Sequence, residues 1–237
     1  MSTPELVTVE RDGAIAVVTL NRPEKRNALS LDLREQLTGQ LRALAADDEL
    51  RCLVLTGAGS AFCAGMDTTE FGGDRAHKER IVELSVGLFR ALGDFPTPVV
   101  AAINGPAVAG GFALALLCDM RLASTEASMG FLENRRGIPP SYAAARAALP
   151  TALATDLCLT GRLLEADEAA RLGVVTATCA PDELMPRARE LAGEIAAAPP
   201  SASIETKRRI LIERHTSWRP LFDAEEQALR EALLGTS

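Results

Sequence analysis

Val99-Val100-Ala101-Ala102-Ile103-Asn104-Gly105-Pro106-Ala107-Val108-Ala109-Gly110-Gly111-Phe112-Ala113-Leu114-Ala115-Leu116-Leu117-Cys118 is apolar except at Asn104, and how it divides decides the fold. A membrane helix takes about 20 apolar residues in one unbroken run. Here Asn104-Gly105-Pro106 and Gly110-Gly111 interrupt the run, and Asp94 and Asp119 flank it. The reading is a buried strand over 98–103, a turn, and a buried helix over 110–117.

Outward from this stretch the same alternation repeats. Cys52-Leu53-Val54-Leu55 is a short apolar strand, followed by a loop of small residues and a helix over about 75–92. Residues 120–123 are again strand-like. Nearer the N-terminus, 6–9 and 14–20 are β-branched runs joined through Arg11-Asp12-Gly13, a hairpin signal. Ser30 reads as an N-cap, and Leu33, Leu37, Leu41 and Leu44 follow at helical spacing. Strands alternating with helices predict an α/β architecture. Beyond residue 150 the pattern becomes helical, over 151–159, 165–172, 182–198, 201–214 and 218–234. Pro199-Pro200 separates two of these helices, and Gly173-Val174-Val175 reads as a brief strand or extended piece.

Composition narrows the function classes. The chain has 237 residues, 47% hydrophobic, which is the apolar content of a packed globule rather than a disordered chain. Its formal net charge is −7 and only 4% of residues are aromatic, which disfavours a nucleic-acid binder. Cys52, Cys63, Cys118, Cys158 and Cys179 form no CxxC pair and read as thiols in a reducing, cytoplasmic setting. With only His77 and His215, a histidine zinc site or a Ser-His-Asp triad is a poor fit, and no metal is expected. The polar, acidic MSTPELVTVE start does not read as a signal peptide.

Two Gly-rich loops follow buried strands. The first is Thr56-Gly57-Ala58-Gly59-Ser60-Ala61-Phe62-Cys63-Ala64-Gly65-Met66-Asp67; the second is Asn104 to Gly111. Each leads into helix-forming sequence, so two amides could converge on one oxygen as an oxyanion hole. The plain alternative is a pair of tight turns. A dinucleotide fingerprint lacks its third glycine, with Phe62 in that place, and neither loop carries a P-loop lysine. There is no G-x-S-x-G elbow. A third feature is Gly130-Phe131-Leu132-Glu133-Asn134-Arg135-Arg136-Gly137. Glu133 follows apolar neighbours, which suits a general acid or base. Its alternative is a surface ion pair with Arg135 or Arg136.

Together these segments resemble the crotonase superfamily, the enoyl-CoA hydratase/isomerase family. The resemblance covers about residues 5–235. It is carried by Leu20-Asn21-Arg22-Pro23 with Asn27-Ala28-Leu29, by Ala61 to Asp67, by Ile103-Asn104-Gly105 with Ala109-Gly110-Gly111 and Cys118-Asp119, and by Leu159-Thr160-Gly161-Arg162. It implies a spiral of β-β-α units over 1–195 and a helical oligomerisation region over 196–237, assembling as a homotrimer or dimer of trimers. It implies an acyl-CoA substrate and no cofactor beyond the coenzyme A that the substrate carries. The amides of Met66 and Gly110 would form the oxyanion hole. Arg26, Ala28, Ala64, Asp67 and Gly111 would meet the substrate, with Lys207 or Arg208 as further partners for coenzyme A phosphate. Leu229, Leu233 and Leu234, at helical spacing, are the expected oligomer seam.

The typical hydratase of this family holds its water between two glutamates. The first position is Ala113 here, while the second aligns with Glu133. On this point, and in Asp67-Thr68-Thr69-Glu70, the chain is most similar to 3,2-enoyl-CoA isomerases. The resemblance therefore implies a shift of a 3-enoyl-CoA double bond, with Glu133 as sole acid/base. The alternatives are an enoyl-CoA hydratase or a weakly active acyl-CoA binder. Glu70 is a lesser candidate for a second carboxylate, and Ser141 and Tyr142 for the acyl pocket.

Overall fold

The computed structural model describes residues 4–235. Residues 1–3 and 236–237, at the outer ends of the two expected regions, lie outside the described residues.

The hairpin forms as expected. Strands β1 (Val7–Asp12) and β2 (Ile15–Leu20) pair antiparallel. The chain then rises through helix α1 (Leu31–Ala45), where Ser30 Oγ accepts the Leu33 N–H and Leu33, Leu37, Leu41 and Leu44 are buried. Strand β3 (Cys52–Gly57) returns parallel to β2, α2 (Arg75–Gly93) crosses back, and β4 (Val99–Ile103) lies parallel to β3. The opening stretch divides as read: after β4 come a two-residue strand β5 (Ala107–Val108) and α3 (Gly110–Leu117), then β6 (Met120–Ser124) parallel to β4. Strand β7 (Ser128–Gly130) is followed by α4 (Tyr142–Ala148), α5 (Thr151–Thr160), β8 (Leu163–Glu165), α6 (Ala166–Arg171), β9 (Ala177–Cys179), α7 (Leu184–Ala197) and α8 (Pro200–Leu234).

The result is two sheets. A six-stranded sheet runs β1-β2-β3-β4-β6-β9, and a three-stranded sheet runs β5-β7-β8. Successive turns give one strand to each: β4 continues into β5, and β6 into β7. This is the β-β-α spiral that the resemblance implies. α3 is buried on nearly every side, which explains why its sequence lacks a polar face.

Two expectations change and a third is narrowed. The helices read at 201–214 and 218–234 are one helix, α8, which runs through Pro220. Trp218 and Phe222 are buried on either side of that proline and stack on one another, holding the helix on course where a backbone bond is lost. Gly173-Val174-Val175 is not a strand: Val174 N–H donates to Ala169 O and closes the end of α6, and the strand follows at β9. Leu229 and Leu233 spend part of their surface on the chain's own core and leave the rest of each uncovered at the expected seam. No helix among the described residues is long and apolar enough to cross a membrane.

Candidate active site

Three segments lie side by side and in register. Cys63 bridges Ala107 in parallel, and β5 pairs with β7 as Ala107 with Met129 and Val108 with Gly130. Phe62 and Cys63 N–H both donate to Pro106 O, Val108 N–H to Cys63 O at 3.0 Å, and Ala109 N–H to Gly130 O at 2.9 Å. Met66 and Gly110 each stand three residues beyond the Cys63–Ala107 bridge. Glu133 stands three residues beyond Gly130. The register of short strands thus sets at one end of the paired strands groups that are up to 67 positions apart in the sequence.

Close contact is built into this zipper. A Cβ on Gly111 would collide with the Cys63 carbonyl. Gly65 has φ +84°, and a Cβ there would lie 2.8 Å from Ala109 Cβ and 3.2 Å from Gly110 N. Only glycine lets the two loops approach this far.

The two amides are left free by their surroundings. Gly65 O accepts the Leu29 N–H and Asp67 N–H donates to Leu29 O, so Leu29 uses the groups flanking Met66 on one side. Backbone N–H directions alternate along extended chain, which turns the Met66 N–H the other way. Gly110 opens α3, where first-turn amides have no intrahelical acceptor. Ala109 before it has φ +53° and ψ −127°, a strained conformation for alanine that sets the plane of the Gly110 peptide. Among the described residues neither Met66 N–H nor Gly110 N–H donates to a protein acceptor. Leu29 Cδ1 and Phe89 Cζ lie 3.4 and 3.7 Å from where a Gly110 Cβ would be, so the neighbourhood is apolar.

Glu133 lies in a 3-10 turn, Leu132–Arg136, closed by Gly137 in the left-handed region. Its Oε2 is buried with no hydrogen-bond partner, and no ion pair joins it to Arg135 or Arg136. Burial pushes its carboxyl up to about 7, with its own backbone N–H opposing. The surface ion-pair alternative is therefore excluded. Ala113 is buried on α3, and the neighbouring Phe112 ring meets Phe131 at 5.0 Å.

Other expected site residues divide. Arg26 is exposed, and Ala28 and Ala64 are half-buried beside it, with Ala64 N–H donating to Arg26 O. Asp67 is committed to the protein: it accepts Arg22 Nη1 at 2.6 Å and Thr69 Oγ1 at 2.7 Å. Burial pushes its carboxyl up, but the bonds from Thr69 and Arg22 outweigh that and hold it at about 2. Gly111 is buried against Cys63, where any side chain would collide with backbone. Lys207 is buried on Asp119 at 2.7 Å and is not available to a phosphate. Glu70 Oε2 accepts the Leu31 N–H at the start of α1, so it caps a helix. Ser141 Oγ caps α4 and donates to Glu225.

Asn27 was quoted in the sequence without a role of its own. Its buried side chain accepts Arg22 N–H and donates to Ala58 O and Ala61 O, binding the first Gly-rich loop to the loop after β2. Its φ of +55° next to Arg26 at +50° is the backbone cost of that arrangement, and no periodicity in the sequence signals it.

Residues 10–230 match the family described as enoyl-CoA hydratase/isomerase. The chain belongs to this family. It is an enzyme of the enoyl-CoA hydratase/isomerase family with the crotonase fold, as its relatives bear out. A Thermus thermophilus protein provisionally named an enoyl-CoA hydratase is 40% identical over 214 residues, 87% of this chain and 83% of that protein. The (E)-benzylidenesuccinyl-CoA hydratase of Thauera aromatica is 34% identical, over 93% of this chain and 92% of that protein. Among solved structures, an enoyl-CoA hydratase from Bacillus anthracis superposes with a TM-score of 0.84 at 31% identity, covering 98% of this chain and 92% of that one.

Proposed function

We propose that this family member moves the double bond of a 3-enoyl-CoA to the 2-position. The observation that carries the reading is the lone carboxylate. Glu133 has a buried, unpartnered oxygen, and Ala113 is apolar where a water-holding glutamate would stand.

The thioester carbonyl oxygen accepts from Met66 and Gly110 N–H. Glu133, as carboxylate, takes a proton from C2, and the electron pair moves onto the carbonyl oxygen as a dienolate. Each aimed donor stabilises that charge by about 2.7–4 kcal/mol in a dry site. Glu133 then returns the proton to C4, the 2,3 double bond forms, and the enzyme ends as it began. A carboxyl near 7 suits both halves, since it is basic enough to accept and acidic enough to give back. No cofactor enters this sequence beyond the substrate's own coenzyme A. The same proposal places the enzyme in the cytoplasm as a homotrimer or dimer of trimers, with 1–195 as the spiral core and 196–237 as the oligomerising region.

Hydration of a 2-enoyl-CoA is the second reading, favoured by the hydratase names of several relatives. Parallel assays with a 3-enoyl-CoA and a 2-enoyl-CoA decide between them. Isomerisation is expected to be the faster reaction, and Glu133→Gln is expected to lower it at least about 1,000-fold while binding of the ester persists. Water addition outrunning isomerisation would establish the second reading instead.

A further inference from the structure

The turn that carries Glu133 is irregular chain between β7 and α4, and such a turn does not hold a carboxylate in a dry place unaided. Its own bonds close it only locally: Gly137 N–H donates to Asn134 O, and Ile138 N–H to Glu133 O. Phe131 at its start is buried against Phe112, and the polar contact beyond Glu133 comes from the next side chain. Asn134 Nδ2 donates to Cys158 O at 2.7 Å and to Leu159 O at 2.5 Å.

Both acceptors belong to the last turn of α5, where the final four carbonyls have no intrahelical donor. Gly161 N–H takes Leu157 O at 3.1 Å. Asn134 takes the next two. The turn sits close against this helix end: a Cβ on Gly161 would lie 3.3 Å from Phe131 O and 3.5 Å from Asn134 Cβ. Phe131 and Asn134 bracket Glu133, so the helix end touches the chain on both sides of the carboxylate.

We propose that Asn134 is a positioning residue for Glu133, its side-chain amide clamping the acid/base turn onto the C-terminal carbonyls of α5. This rests on the reading of Glu133 given above. Asn134 touches no reacting atom. It acts by holding its neighbour where water is excluded, and a turn released from α5 would carry Glu133 toward solvent. The titratable groups facing this region are Cys158 of α5 and Glu225 of α8. Burial first, then the charges of Glu225 and Glu133, push the Cys158 thiol up to about 12, so it stays neutral. Arg135 and Arg136 of the turn itself are exposed.

Asn134→Ala tests the clamp, with Thr160→Ala as the control. The control removes two bonds of Thr160 Oγ1 at the same helix end, the one it donates to Asp156 O and the one it accepts from Arg162 N–H, neither of which involves the turn. Rates with a 3-enoyl-CoA are measured from pH 5 to 9. Asn134→Ala is expected to lower the plateau kcat at least tenfold, keep KM within twofold, and move the midpoint of the pH rise down by one unit or more. Thr160→Ala is expected to move none of these. A midpoint that stays put with kcat within twofold overturns the proposal. Should Asn134→Ala not fold, Asn134→Leu, of similar size without the donors and without a new charge, is read in the same way. A second readout requires no turnover. Urea unfolding of Asn134→Ala, with and without Glu133→Gln, reports where Glu133 titrates. Displacement to lower pH supports the clamp, and an unmoved titration overturns it. If wild type isomerises nothing while the displacement is seen, the clamp stands and the acid/base reading fails.

Discussion

Glu133 is held where it is hard to ionise, and that cost falls on folding. Its carboxyl stands at about 7 in the folded chain against an ordinary 4.5. Below 4.5 both states bind the proton, and Glu133 sits neutral in its dry place. Between 4.5 and 7 the folded state binds more protons than the unfolded one, so stability falls as pH rises. Above 7 the loss is complete, about 3 kcal/mol at most. Glu133→Gln removes the titration. It is expected to be more stable than wild type at pH 8 by up to that amount and no more stable at pH 4, by urea unfolding. Asp67 has the opposite sign: held at about 2, it contributes stability above 3.8 that is lost as pH falls toward 2. Arg22→Ala is expected to shift that acid loss to higher pH in an acid-unfolding titration. The segments that carry Glu133, Met66 and Gly110 were legible in the sequence because local motifs mark them. The protein partners of Asp67, Gly111 and Lys207, namely Arg22, Cys63 and Asp119, were not, because spacing does not name them.

At the scale of elements, α1, α2 and the sheet's central strands were legible, the helices by their apolar period and the strands by their unbroken apolar runs. The strands that build the site were not. β5 has two residues and β7 and β8 three each, too short for any alternation to show. They exist because Ala107 is gripped from both sides, by Cys63 and by Met129. α8 was read as two helices with a gap at 215–217, where no apolar period shows, whereas the helix is continuous there and burial of Trp218 and Phe222 carries it on through Pro220. The zipper makes a prediction about its tightest contact. Gly111→Ala would drive a methyl into the Cys63 carbonyl and part the two loops. The expected cost is about 2–3 kcal/mol in chemical denaturation. Turnover is expected to fall further than stability alone explains, because the amides of Met66 and Gly110, proposed to hold one oxygen, would part.

For the whole molecule, a net charge of −7 faces a proposed substrate whose coenzyme A carries phosphates. The fold meets this conflict locally. Lys207 and Arg214 are spent inside, on Asp119, where α8 joins the end of α3. Arg22 is spent on Asp67. Arg26 remains exposed beside Ala28 and Ala64, and it takes part in no ion pair among the described residues. On the proposed reading it is the cation through which the ester is held remote from the chemistry, with exposed Lys25 beside it. Remote binding that is equal in ground and transition states changes KM and leaves kcat alone. Arg26→Glu is expected to raise KM for the acyl-CoA about tenfold or more with kcat within twofold. Since exposed charges are screened over roughly 8–10 Å at physiological salt, wild-type KM is expected to rise with ionic strength, and that rise to flatten or reverse in the variant. A KM that ignores both the substitution and the salt would place the phosphates elsewhere on the surface, and Arg208, exposed on α8, is the next cation to exchange.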